Sequence, residues 1–353
     1  MNRRQFQVGL LGSATSWAQA RRRPAPPIDA HQHILSLRIT TGPFAGGYRV
    51  APAGRLNWYF TNLGLIAIIP RLSPAELDLY IRPYLELYLS QLQANGTIED
   101  IEFNNAAMTS YTRVPSDSDN SYAATLLSLA ARYLRASANW EWWNTRQATL
   151  QMLAQVNIVS QIKTNGLCRV FQLPRTSSVS EYGFTMNNCE DYRGLRDLAD
   201  LQALRGQPTL AAANLASAHQ IGQAIESVLW DSSRAGYRVS DQDLYADTRS
   251  FYPGCCCQVF AQAFGVVESS SHDDAAWRFL NTHAPRWPRE AYDPFPWCVL
   301  GYVAARRNDT ERATQQLAST DARYQDDPAL VTINELGFYL RTRSILSGLG
   351  ETA

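Results

Sequence analysis

From Asn57 to the end of the chain, apolar residues return at every third or fourth position in long runs, and short polar turns separate the runs. That period lays the apolar positions along one face of a helix, whereas a half-buried strand alternates at every second residue. The spacing predicts helices over 57–69, 74–94, 119–137, 140–163, 188–205, 207–231, 252–268, 272–283, 294–307, 309–323 and 329–347. Several starts are marked by residues that satisfy free backbone N–H groups or tolerate a missing one. Ser73-Pro74, Gly206-Gln207-Pro208, Asp309 and Asp327-Pro328 are of this kind. Strand-like alternation is confined to short loop pieces such as Gly236-Tyr237-Arg238-Val239. Long connections at 95–118, 164–187 and 232–251 follow every second helix. An all-α ring of stacked helical hairpins, its long loops gathered on one face, is the architecture this alternation predicts. Loops of that length usually carry function.

The beginning of the chain has a different pattern. Asn2-Arg3-Arg4-Gln5-Phe6 precedes the apolar run Val8 to Leu11, and small residues lead to Ala18-Gln19-Ala20. A charged start, a short apolar stretch and an A-x-A site make an export signal, here of the twin-arginine kind. The apolar run is too short to anchor the chain in a bilayer. The expected organisation is an export signal over 1–20, a lead-in over 21–39 and one domain over 40–353, in a periplasmic or secreted protein.

Composition removes several function classes. The 353 residues carry 32 basic and 32 acidic side chains, so no basic field exists to hold nucleic acid by counterion release. Lys163 is the only lysine. A Walker phosphate loop is absent, and Schiff-base chemistry would have to use Lys163 itself. No cofactor is expected. Six cysteines are present, and the run Cys255 to Cys257 lacks both C-x-x-C spacing and a nearby histidine. Small buried residues on a packed helix, rather than a zinc site, are expected there. Nine Trp and seventeen Tyr supply core and also suit a sugar cleft, because sugar rings present apolar C–H faces.

His31-Gln32-His33 looks like the H-x-H metal motif that opens amidohydrolase barrels. Such a barrel needs βα alternation and further ligands, but the other histidines are His219, His272 and His283, all in helical segments or their flanks. The expectation is a structural or cleft-lining pair and no metal site.

The strongest chemical pattern is Pro115-Ser116-Asp117-Ser118-Asp119-Asn120-Ser121-Tyr122-Ala123, where two carboxylates sit at the entry to an apolar helix. A capping box of Ser116 and Asp119 explains one of them and leaves the other. A second cluster is Met186-Asn187-Asn188-Cys189-Glu190-Asp191-Tyr192-Arg193-Gly194-Leu195, and a third runs from Ser250-Phe251-Tyr252-Pro253 through Gln258 to Phe264-Gly265.

These three stretches resemble the six-hairpin glycosidase superfamily, and the first is similar to the A-S-D-A-D-x-x-x-A run of family 8 glycoside hydrolases. The resemblance covers residues 40–345 and implies an (α/α)6 toroid acting on an oligo- or polysaccharide. The chain departs from family 8 where that family carries its general-acid glutamate: Gly42 to Tyr48 and Tyr59 to Asn62 contain no Glu. Glycoside hydrolysis needs one carboxylic acid to protonate the leaving oxygen and one carboxylate as base or nucleophile. The expected catalytic set is Asp117, Asp119, Glu190 and Asp191, with Asp100 and Asp247 in reserve and Tyr59, Trp142 or Tyr192 as an apolar wall. Tyr59, Asn62, Tyr122, Asn188, Tyr192 and Tyr252 are the expected sugar contacts. Two alternatives remain: a polysaccharide lyase, using Tyr, His or Asn as base with an arginine on the uronate, and a sugar-binding protein without turnover. Export is checked by locating the protein after Arg3 and Arg4 are replaced by Lys: the expected result is retention in the cytoplasm, and unchanged export would rule out a twin-arginine leader.

Overall fold

The computed structural model describes residues 25–349, so the expected export signal lies outside the described residues. The helices are α1 (Ala30–Ser36), α2 (Trp58–Ile68), α3 (Pro74–Glu76), α4 (Arg82–Ser90), α5 (Asn120–Ser137), α6 (Trp140–Asn157), α7 (Thr185–Leu204), α8 (Pro208–Ala224), α9 (Phe260–Phe264), α10 (Asp273–His283), α11 (Val299–Arg306), α12 (Thr310–Asp326) and α13 (Ile333–Leu346). A π turn over Leu77–Ile81 makes α3 and α4 one continuous rod. Short 3-10 and π turns join the helices, and there are two small antiparallel ribbons: β1 (Glu99–Phe103) with β2 (Tyr111–Pro115), and β3 (Trp230–Asp231) with β4 (Gly236–Tyr237). The fold is mostly α. None of its described helices is long and apolar enough to cross a membrane.

Helix starts follow the polar signals in the sequence. Asn57, Asn139 and Asp309 each accept a hydrogen bond from the N–H three residues on, at 2.8, 3.0 and 3.2 Å. Ser73 and Glu76 form a reciprocal capping box with Pro74 in the first turn. The expected box at Ser116 does not form, since Asp119 itself stands at the cap of α5 without a side-chain cap bond.

Burial separates two kinds of helix. In α2 every residue except Phe60 is buried, and α5, α7, α11 and α13 are buried on nearly all sides. By contrast, α6 and α12 each hide a single stripe, through Trp143, Leu150 and Leu153 in one and Ala313, Gln316 and Thr320 in the other. A helix apolar all round needs neighbours all round. Here α2 packs on α5, α5 on α7, α7 on α9, α9 on α11, α11 on α13, and α13 back on α2. One-faced helices cover the outside of this circuit: α6 lies on α5, α8 on α7, α12 on α11 and α13.

At two seams the inner helices touch backbone to backbone. A Cβ on Gly64 of α2 would stand 2.7 Å from the Ile333 carbonyl oxygen, and one on Gly337 of α13 would stand 2.9 Å from that of Leu63. Between α5 and α7, a Cβ on Gly194 would lie 2.5 Å from the Ala124 carbonyl oxygen.

Three expected segments differ from the structure. The helix over 252–268 breaks into a π turn at Phe251–Cys255, a 3-10 turn at Cys256–Val259 and α9. Pro253 has no N–H to give, it forces Tyr252 into an extended conformation, and Gly265 in the left-handed region ends α9. The helix over 294–307 begins only at Val299, because Pro294 and Pro296 exclude helical geometry at the residues before them. The lead-in is not separate from the domain: Ile28, Ile34, Leu37 and Ile39 are buried in the core, and the Ile28 N–H donates to Asp321 at 3.0 Å. All six cysteines are free and buried, with the Cys255–Cys257 run packed in the broken segment.

Helix propensity alone would make Gly194→Ala stabilising by about 1 kcal/mol. Its methyl would meet backbone that has nowhere to go, at a cost of about 1–3 kcal/mol. Gly194→Ala is expected to lower the melting temperature in calorimetry; an unchanged or raised value would mean that α5 and α7 are not in backbone contact.

Candidate active site

The inner helices begin on the same side, and their first turns meet the long loops there. A cavity at this end is walled by Tyr59 and Phe60 of α2, Tyr252 before α9, Phe295 and Trp297 before α11, and Phe338 of α13. Its rings pack in sequence: Tyr252 stacks on Trp297 with centroids 4.6 Å apart, Trp297 meets Phe295 edge-on at 5.0 Å, and Phe295 lies 6.3 Å from Phe60. The carboxylates of Asp293 and Glu335 open into this aromatic surround, beside Asn334. A second pocket shares Tyr252 and extends the cleft past Asp117, Met186, Asn187 and Phe184.

Hydrogen bonds hold each of these acidic groups. The Tyr59 hydroxyl donates to Oε1 of Glu190, which is buried on α7. Glu335, also buried, accepts from the Cys298 N–H through Oε2 and from Asn334 Nδ2 at 2.8 Å through Oε1. The Cys298 N–H clamps the first turn of α13 to the start of α11, and Asn334 steadies the carboxylate from within α13. Asp293 accepts from the Phe295 N–H at 2.8 Å, which fixes the turn that presents Phe295. Trp297 has φ of +53°, in the left-handed region. For a bulky non-glycine residue that is a strained conformation, and such strain clusters at working sites.

The expected site residues divide into two groups. Asp117, Glu190, Tyr59 and Tyr252 line the cleft or the cavity directly behind it. The others form the frame. Asp119 is buried and accepts from Arg175 Nη1 at 2.8 Å, the Gln172 N–H at 2.9 Å and Ser116 Oγ at 3.3 Å. Burial raises its pKa against the pull of Arg175. Asp191 is fully buried and accepts from Asn120 at 2.7 Å; desolvation pushes its pKa well up. Asn120 in turn accepts from Asn187 at 3.1 Å, so Asp191 reaches the cleft only through two amides.

The expected channel lining needs the same correction. Asn62 is buried between Tyr84 and Thr125, and Tyr122 donates to Asp100 at 2.9 Å beneath the stacked Tyr59 ring. Asn188 is spent on the Cys168 backbone, and Tyr192 points outward to the Val267 N–H and Arg196. Trp142 belongs to α6, where it donates to Glu86 at 2.6 Å, and so walls no catalytic acid. Both reserve carboxylates are structural. Asp100 ties β1 to α2 through Asn57 and the Trp58 N–H, and burial pushes its pKa up to about 7. Asp247 holds the turn at Ser250.

Asp293, Glu335, Phe295 and Trp297 are the residues that sequence reasoning missed. Pro294-Phe-Pro-Trp297 falls inside the helix expected over 294–307, with Asp293 just before it, although two prolines in three residues signal an ordered loop. Glu335 looks like a first-turn acid answering the helix dipole. The histidine pair lies elsewhere: His33 Nδ1 is 2.6 Å from the Tyr324 hydroxyl between α1 and α12, and His31 lies near Arg71 and Glu76. Among the described residues no group of three or more His, Cys, Asp or Glu is placed to hold a metal ion. Lys163 ion-pairs with Asp241 and donates to the Glu181 carbonyl.

No protein-family model matches this chain, and no curated protein matches it by sequence. Solved structures do. A rhamnosidase from Klebsiella oxytoca with rhamnose bound superposes with a TM-score of 0.63 at 14% identity, over 92% of this chain and 66% of that one. A glycosidase gives 0.61 at 13% identity, over 90% and 95%. The GH78 family rhamnosidase of Bacillus sp. GL1 gives 0.52 at 15% identity, over 86% and 36%. This chain therefore spans just under two thirds of the first rhamnosidase and about a third of the second. What the likeness shows is a shared, glycosidase-like helical fold.

Proposed function

We propose that this protein is a glycoside hydrolase on an (α/α)6 toroid, with its active site in the aromatic cleft where the inner helices begin. The observation that carries the reading is convergence. Asp293 and Glu335 come from two separate segments and line one ring-walled cavity, Glu190 stands in the cavity directly behind it and accepts from the cleft-lining Tyr59 hydroxyl, and Asp117 stands farther along the same cleft. Aromatic faces accept the C–H faces of sugars, and buried carboxylates supply the acid and base that hydrolysis needs. The circuit of six inner contacts and the likeness to glycosidase structures support the toroid.

In this mechanism Glu335 is the base. Its Oε2 and Oε1 accept from a backbone N–H and an amide, and donors to a carboxylate favour its charged form. It takes a proton from the attacking water. Glu190, oriented by Tyr59, gives a proton to the leaving oxygen as the glycosidic bond breaks. Asp117, Asp293 and Asn334 bind sugar hydroxyls, and Tyr252 with Trp297 forms the platform beneath the ring. Asp119 and Asp191 keep the frame that presents them. No cofactor takes part, and the export signal delivers the enzyme to the periplasm or beyond, where such substrates are met.

The purified protein is tested on aryl glycosides, α-L-rhamnosides among them, and on a polysaccharide panel. New reducing ends are expected. Glu190→Gln and Glu335→Gln are each expected to lower kcat by about 100- to 10,000-fold with melting nearly unchanged. Asp119→Asn is expected to do the reverse, melting earlier while keeping most of its turnover. A product absorbing in the ultraviolet would mean a lyase instead, and sugar binding without turnover would mean that the cleft only binds.

A further inference from the structure

The aromatic cleft has two halves that meet at Tyr252. The half walled by Phe295 and Trp297 holds about 80 Å³ and carries Asp293 and Glu335. The far half is larger, about 280 Å³, and much of its wall comes from two long connections. Val170, Ser178, Val179 and Phe184 belong to the connection between α6 and α7, and Val239 to the one between β4 and α9. Ser118 and Asn187 add polar groups beside the starts of α5 and α7. Connections of this length are mobile by default, so a cavity built on them keeps its shape only where they are tied.

The tie is made by Lys163, the only lysine of the chain. Its ammonium group ion-pairs with Asp241 and donates to the Glu181 carbonyl oxygen at 2.8 Å. Asp241 Oδ2 also accepts from Asn165 at 2.8 Å, and its Oδ1 accepts from the Gly183 N–H at 2.9 Å. Lys163, Asn165, Glu181 and Gly183 lie in the first connection and Asp241 in the second, so one carboxylate gathers both. The Lys163 and Asp241 side chains are only 12% and 4% exposed. Burial works to raise the Asp241 pKa, but the bonds from Lys163, the Gly183 N–H and Asn165 outweigh it and hold the carboxyl below its ordinary value. A short seam carries the tie to the pocket wall. The Thr185 N–H donates to the Val239 carbonyl oxygen at 2.9 Å, and Phe184 forms a bridge with Ser240. Phe184 and Val239 line the pocket one and two residues away from the tied Gly183 and Asp241.

We propose that the far half of the cleft is a subsite for a second sugar residue, and that Lys163 and Asp241 are positioning residues that hold its wall. The inference rests on the reading of the cleft as a sugar site. Tyr252 belongs to both halves, so a ring on the Tyr252–Trp297 platform has its neighbour in the far half. Valine and phenylalanine side chains there suit the C–H faces of a sugar, and the serine and asparagine groups suit its hydroxyls. Losing the tie frees the wall of the second subsite and leaves the platform and the reacting carboxylates in place. A tie that served only the fold would affect every sugar alike.

Calorimetric titration of the intact protein tests this with glucose, xylose, mannose and rhamnose and with the matching di- and trisaccharides. One series is expected to gain about tenfold or more in affinity from one residue to two. Lys163→Met and Asp241→Asn are each expected to remove most of that gain while keeping the affinity for the monosaccharide. Lys163→Arg keeps the charge and is expected to keep most of the gain. Asp241→Asn retains an acceptor for the Gly183 N–H, so it reports even where Lys163→Met leaves a buried carboxylate uncompensated and does not fold. No gain from a second residue, or variants that lose affinity for one and two residues equally, would overturn the proposal. A gain in affinity without turnover would support the subsite and strike the hydrolase reading, and binding by none of the series would overturn both.

Discussion

The whole molecule depends on inner helices that have no solvent face. Once α2, α5, α7, α11 and α13 are buried on nearly every side, each needs a neighbour on both flanks and a cover behind. A chain of such contacts ends satisfactorily only where the last helix finds the first. The α13–α2 seam does this, and it closes at backbone distance because Gly64 and Gly337 leave no side chains between. In that setting a polar side chain has two fates. It is absorbed in a buried network, as Asp119, Asp191 and Asn62 are, or it faces the space along the axis, as Glu335 and Arg132 do.

That constraint also sorts charge along the axis. The inner helices begin together, so the partial positive charge of their first turns collects at the cleft and favours carboxylates there. Asp117 and Asp293 stand before the starts of α5 and α11, Glu335 lies in the first turn of α13, and Glu190 lies a turn farther into α7. Farther along the same helices, four arginines line the cavity behind the cleft together with Glu190. The cleft and that cavity share a wall of Leu63 and Phe264.

How much of this was legible in the sequence varies with the physics behind each feature. Helix periodicity and caps such as Asn57, Ser73 and Asp309 are local, and they placed most elements within a few residues. Prolines were read correctly at helix starts but not inside apolar runs, where Pro253, Pro294 and Pro296 break the pattern. That lapse concealed Asp293, Phe295 and Trp297. The polar pairs illustrate a subtler limit. Asp117 and Asp119 are two apart, yet Asp117 lines the cleft and Asp119 is buried; Asn188 and Glu190 are also two apart and both buried, yet Asn188 is spent on backbone while Glu190 lines a cavity. Spacing says that two neighbours point differently; which one meets the cleft is decided by Arg175 and Gln172 for Asp119, and by Tyr59 for Glu190. Those partners are tens of residues away in the chain, so no local pattern announces them.

The central claim is that the aromatic cleft, and not another surface, holds the bond that is cut. A crystal structure of the Glu190→Gln variant with a substrate oligosaccharide measures this most directly. A sugar ring lying on the Tyr252–Trp297 platform, with its glycosidic oxygen within hydrogen-bond reach of residue 190 and a water held by Glu335, is the predicted result. A sugar bound outside this cleft, or one whose glycosidic oxygen lies beyond reach of both positions, would contradict the account.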